Sequence, residues 1–130
     1  MSKPVRAAAP ATFALIPYVH VANLTRSIKF YELLGFALKD THELDGIRVW
    51  AHLTNAESRL FLVLADAPIE AQAQAVLFYL WTADVVALRD HLVANNVPVG
   101  VITHPPYMPA GEIRLEDPDH YVLLVGQVSR

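Results

Sequence analysis

Cysteine is absent from all 130 residues, which excludes disulfide staples, cysteine-ligated zinc and thiol chemistry. Glycine is scarce, five residues in all, and none of it forms the glycine-rich turn that cradles phosphates. Charge is thin as well. Asp, Glu, Lys and Arg make up 18% and the formal net charge is −3, so nucleic acid is not an expected partner and a cationic small ligand is mildly favoured. Long apolar runs are missing: the stretch that begins at Ala7 is broken by Pro10, Pro17 and His20 before it could cross a bilayer or form a signal-peptide core. A cytoplasmic protein without a membrane partner is expected, with residues 1 to about 11 as a loose tail. What the chain does have is a 54% hydrophobic content, enough to build one core, and the length of a single domain over about residues 12–127.

The most informative pattern is a two-fold echo. Asn23 opens a helical pattern that ends near Gly35, and Asp84 opens another that ends near Asn96. Asn and Asp cap helix starts because their side-chain oxygens accept free N–H groups of the first turn, and Gly and Asn tolerate the left-handed conformation that closes a helix. Leu24, Ile28 and Tyr31 share one face of the first helix; Val85, Leu88 and Leu92 share one face of the second. Before each helix lies a run rich in aromatic and β-branched residues, Phe13 to Val21 and Ala75 to Thr82. After each come three strand candidates. These are about Phe36 to His42, Ile47 to Leu53 and Arg59 to Ala65, then Val99 to Thr103, Glu112 to Glu116 and Tyr121 to Val125. The order reads βαβββ twice. One helix covers only one face of its sheet, so the opposite face must line something else, typically a cleft between the halves.

At this point the residues resemble a known family. The run Asn23-Leu24-Thr25-Arg26-Ser27-Ile28-Lys29-Phe30-Tyr31 with Leu34-Gly35-Phe36, and Gly111-Glu112 leading to Asp117-Pro118-Asp119-His120-Tyr121, are similar to motifs of the vicinal oxygen chelate superfamily. That group holds glyoxalase I, extradiol dioxygenases, methylmalonyl-CoA epimerase and the bleomycin and fosfomycin resistance proteins. The resemblance covers about residues 12 to 127 and implies an α+β fold. Two βαβββ modules, about 12–67 and 74–127, would form a curved mixed sheet enclosing a cleft. Two positions depart from the pattern: Asn23 stands where Asp is usual, and His120 where Gly or Asn is usual. Both tolerate the same backbone geometry.

Metal-dependent members of that family hold a divalent ion with side chains from the first and last strands of each module. The resemblance carries those positions onto Ile16, Phe78, Leu124 and one residue among Leu60, Phe61, Leu62, Val63 and Leu64. Hydrocarbon cannot ligate Mg, Mn, Ni, Fe or Zn. No metal and no other cofactor is therefore expected. His20 and His52 with Glu112 form the one conceivable alternative set, while His42, His91, His104 and His120 share no spacing.

With strands alternating their faces, the open side of the first module should carry Tyr18, His20, Arg48, Trp50 and His52. The second should add Phe78, Leu80 and Thr82, or Tyr79 and Trp81 if the register is one residue off. Tyr107, in the proline-rich segment His104 to Ala110, and Glu112 complete the candidate ligand contacts. Such a surface suits a planar or cationic molecule. No nucleophilic apparatus stands out, and no catalytic residue is assigned. The expected function is metal-free binding and sequestration of a small molecule, of the antibiotic-resistance type, in a groove that the resemblance implies is shared by two subunits of a homodimer. Two alternatives stay open: a lyase, isomerase or dioxygenase working through His20, His52 and Glu112, and an interaction module whose cleft is filled by its own side chains.

Overall fold

The structure, a computed structural model, describes residues 13–75 and 77–129; the expected tail lies outside them. Both helices form where their caps stand. The first, α1, runs Leu24–Leu33, and Asn23 Oδ1 accepts the Arg26 amide at 3.0 Å. The second, α2, runs Val85–Ala94, and Asp84 Oδ1 accepts the Ala87 amide at 3.0 Å. Each ends on a left-handed residue, Gly35 at φ +97° and Asn96 at φ +64°. The chain then closes back on the last turn, Phe36 N–H to Tyr31 O at 3.1 Å and Val97 N–H to Leu92 O at 3.0 Å.

The first sheet contains β1 (Tyr18–Val21), β2 (Ala37–Leu44), β3 (Ile47–Asn55) and β4 (Ser58–Leu64) in the order β1-β4-β3-β2. β1 runs parallel to β4, and the other pairs are antiparallel. The expected strand from Phe13 begins only at Tyr18. Pro17 has no N–H to offer the ladder, so pairing starts with its carbonyl, which accepts Phe61 N–H at 3.0 Å. The second sheet contains β5 (Phe78–Thr82), β6 (Glu112–Glu116) and β7 (Val122–Gln127) in the order β5-β7-β6. The strand expected at Val99 to Thr103 is reduced to two isolated bridges, Val99 with Leu115 and Thr103 with Glu112. Pro98, Pro105 and Pro106 bracket it without ladder donors, and Arg89 Nε takes the Gly100 carbonyl at 2.8 Å. Those bridges still lie against β6 as β2 lies against β3, so both modules repeat one topology.

One core joins the halves. Val19 and Val21 from β1, Leu53 from β3, Leu62 from β4, Leu115 from β6 and Leu123 from β7 are buried with Leu24, Ile28, Tyr31, Val85 and Leu92 of the helices. The two helix faces read from the sequence point into it, with Leu88 partly buried at its margin.

The Asp117-Pro118-Asp119 turn fastens the second half to the first. Asp117 accepts Tyr31 Oη–H at 2.8 Å and the amides of Asp119 and Tyr121 at 2.9 and 3.0 Å. Asp119 accepts the Ala22 amide at 3.3 Å, Arg26 Nη2 at 3.1 Å and Ser27 Oγ at 3.5 Å. Burial raises the pKa of Asp117 from its ordinary value, opposed by the hydrogen bond from Tyr31 and by those from the backbone. The same burial, helped by the Asp117 charge, pushes the Tyr31 phenol up. His120 sits at φ +70°, the left-handed conformation that a Gly or Asn would adopt there.

Candidate functional site

Alternation along β1 places Val19 and Val21 in the core and leaves Tyr18 and His20 on the opposite, open face. Register then builds two rows across the first sheet. One reads His42, Trp50, Val63, His20; the other reads Asp40, His52, Phe61, Tyr18. The rings touch. Phe61 lies edge-on to Trp50 at 5.1 Å, to His52 at 4.9 Å and to Tyr18 at 6.4 Å between centroids. Tyr18 and His20 pack at 5.6 Å. Such offset and edge geometries contribute about 0.5–1.5 kcal/mol per pair beyond area burial. Under these rings His52 is only 7% exposed, and its Nε2 has no hydrogen-bond partner. Burial holds its imidazole below the usual histidine range, reinforced by Lys39 and Arg59 and opposed by Asp40.

The open face of the second sheet has a different chemistry. Its rows read Trp81, Gly126, Glu112 and Tyr79, Leu124, Arg114. Glu112 is buried, and each of its oxygens accepts a phenol: Tyr79 Oη–H at 2.7 Å on Oε2 and Tyr107 Oη–H at 2.9 Å on Oε1. Burial, then the hydrogen bond and charge of Glu112, push the Tyr79 phenol up to about 12. The bond to Glu112 is the largest influence raising Tyr107. The proline-rich loop lies over this face. A Cβ at Gly126 would meet Tyr79 Oη at 2.5 Å and Met108 Cε at 2.6 Å, so only glycine lets the phenol and Met108 rest on the strand.

A cavity of about 890 Å³ opens between β1 and β5, an edge strand of each sheet, paired on one side only, with β4 and with β7. Tyr18, His20 and Tyr79 reach it from the open faces, whereas Trp50, His52, Trp81, Tyr107 and Glu112 stand on those faces outside its lining. The expected site residues are therefore distributed as follows. Tyr18, His20, Trp50 and His52 come together on one sheet, and Tyr107 and Glu112 on the other. Arg48 does not join the first group: a register break next to His42 leaves it paired with Glu43 at the exposed hairpin end. Phe78 and Leu80 line the cavity, and for the open face the register one residue off is the one that forms. They are partly buried against the core and reach the cavity from that side, while Tyr79 and Trp81 occupy the open face. Among the described residues His20, His52 and Glu112 form no metal-holding group. Phe61 was not singled out from the sequence, yet it is the ring on which Tyr18, Trp50 and His52 pack. The signal that places β5 correctly was present: the 61-residue offset between the N-caps Asn23 and Asp84 carries Tyr18 onto Tyr79 and His20 onto Trp81.

The model of the glyoxalase/bleomycin resistance protein/dioxygenase superfamily matches residues 13–125. The chain belongs to that superfamily. No curated protein sequence matches it significantly. Among solved structures, a bleomycin-binding protein complexed with bleomycin superposes with a TM-score of 0.71 at 16% identity, covering 91% of this chain and 100% of that one. TnmS3, an antibiotic-binding protein from a Streptomyces species, gives 0.70 at 24% identity, covering 93% and 99%. Lactoylglutathione lyase from Agrobacterium tumefaciens gives 0.63 at 16%, covering 92% and 96%. Identities this low establish the shared fold.

The strand faces narrow the residues at the ion-binding positions that the resemblance implied. Leu124 faces the open side beside Tyr79. Phe61 stands beside Tyr18 in the same way and is thus its counterpart on β4. Ile16 precedes Tyr18 by two residues and Leu77 precedes Tyr79 by two, so Leu77 replaces Phe78 as the equivalent on the second module. Ile16, Phe61, Leu77 and Leu124 offer no oxygen, nitrogen or sulfur. These side chains do not fit a divalent metal.

Proposed function

We propose that this protein binds a planar or cationic small molecule in the aromatic cleft between its two modules and sequesters it without a metal. The observation that carries this reading is that each sheet has a ring-lined open face, Tyr18, Trp50 and Phe61 on one and Tyr79 and Trp81 on the other, with Tyr18 and Tyr79 lining the cavity and hydrocarbon at the family's metal positions. Stacking and edge contacts to rings are how a flat heteroaromatic is held. The bleomycin-binding and antibiotic-binding neighbours share the fold in which such a cleft forms.

The working unit is a cytoplasmic homodimer. Phe13 at 99% and Leu15 at 90% exposed, next to the unpaired edge of β1, are apolar groups that a second copy would cover. Sedimentation should give a dimer mass, shifting to monomer on Phe13→Glu with Leu15→Glu.

Thermal melting of the full chain against planar dyes tests the binding reading. A ligand at 100 times its dissociation constant stabilises the fold by about 2.7 kcal/mol. The reading fails if no planar cationic or neutral heteroaromatic raises the melting temperature. It also fails if purified protein holds stoichiometric Ni, Zn, Mn or Fe that is lost on His20→Ala.

A further inference from the structure

Glu112 is 6% exposed, and among the described residues no Lys, Arg or His lies within ion-pair distance of it. A buried carboxylate without a cation is costly unless hydrogen bonds satisfy it. Here two phenols do so, occupying about half of the roughly four acceptor positions a carboxylate offers. No ion pair offsets the negative charge; Arg114, on the same face, pairs with Glu116.

The two phenols are not equivalent. Tyr79 is part of β5, so its position is set by the sheet. Tyr107 is 65% exposed and sits at the tip of the His104–Ala110 loop. The neck of that loop is fixed by reciprocal bonds between Thr103 and Glu112, each amide donating to the other's carbonyl at 2.9 Å. Pro105, Pro106 and Pro109 stiffen the rest, and His104 Nδ1–H donates to Pro109 O at 2.9 Å. The Tyr107 side chain can therefore swing away from Glu112 Oε1 without unfolding the loop. Doing so uncovers an anion on the same face as Trp81, which is 74% exposed. Trp81 and Glu112 stand in one row with Gly126 between them, two strand spacings or about 9.6 Å apart along the sheet.

We propose that Glu112 is the counter-ion for a protonated amine or amidine on a planar ligand stacked at Trp81, and that Tyr107 is the gate whose hydroxyl this cation displaces. The inference rests on the cleft-binding reading above and adds the charge class of the ligand. The exchange replaces a hydrogen bond in which only the acceptor is charged with one in which donor and acceptor carry opposite charges. Tyr79 keeps Oε2 and holds the carboxylate in place. Tyr107 thus caps the charge on the open face of the second sheet.

The test is fluorescence titration of the full chain with proflavine, a planar cation with N–H donors, and with acridine, its neutral counterpart at pH 7.5. Proflavine should bind at least tenfold more tightly. Glu112→Gln should remove most of that preference and leave acridine within twofold. Tyr107→Phe, which deletes only the hydroxyl on Glu112 Oε1, should tighten proflavine severalfold and keep the test readable if Glu112→Gln lowers stability. Equal binding of the two dyes, unmoved by Glu112→Gln, overturns the counter-ion and leaves the cleft reading standing. Unchanged or weaker proflavine binding by Tyr107→Phe overturns the gate. Binding of neither dye overturns both this inference and the reading beneath it.

Discussion

The two open faces are built on one topology and have opposite chemistry. On the first sheet Tyr18, Trp50, His52 and Phe61 hold one another by ring contact, and the one buried polar atom among them, His52 Nε2, has no partner. On the second sheet Tyr79, Tyr107 and Glu112 are joined by hydrogen bonds around a charge. The difference lies in a few substitutions at equivalent positions: Tyr18 and Tyr79 are both phenols, but His20 corresponds to Trp81. The scaffold fixes where a side chain stands, and residue type alone decides whether the face it stands on is packed or wired. Each can then change without disturbing the other.

The largest effect should come from cutting what both faces share. Asp117→Ala strands the Tyr31 hydroxyl and two backbone amides, and we expect a loss of about 3 kcal/mol. In calorimetry both halves should melt together; a loss confined to one would contradict the single core. Next in size is Gly126→Ala, which pushes Tyr79 and Met108 off β7 and should cost about 1–3 kcal/mol. Its effect should be confined to the second face, so a shift in the aromatic NMR signals of Trp50 or His52 would break the proposed independence.

Trp50→Ala should leave a folded protein and weaken proflavine by about twofold to tenfold, the worth of one ring contact. Loss of the fold with unchanged binding would assign Trp50 to packing alone. The smallest effect is a pH slope. Because burial lowers the His52 pKa in the folded state, the unfolded chain binds more protons just below pH 6.5 than the folded one does. Stability contributed by neutral His52 is complete above that pH and is lost as pH falls. Denaturant titrations from pH 7.5 to 5.5 should show a shallower decline for His52→Phe than for the wild type.

Helices were legible because their signals are local. Asn23 and Asp84 cap, Gly35 and Asn96 stop, and the apolar stripes between them are the buried faces. Strand faces were legible only where one side is polar. In β1 the alternation of Tyr18 and His20 with Val19 and Val21 is plain, whereas in Phe78-Tyr79-Leu80-Trp81 every residue is apolar and the period of two carries no sign. The contact between Tyr107 and Glu112 depends on how a proline-rich loop folds back, which no periodicity encodes. Likewise Phe61 became a site residue only through register with Tyr18 and His52.

The Asp117-Asp119 turn also sets an order of events. Asp119 receives the amide of Ala22 from 97 positions away, and Asp117 receives Tyr31 from 86 away. By contrast α2 is held within its own half, where Val85 N–H donates to Gln127 Oε1 at 2.9 Å. During synthesis the N-terminal module leaves the ribosome long before the carboxylates that receive it exist, while the later module carries its own anchor. The polar anchors of the older part of the nascent chain are therefore completed only once the later module has been made.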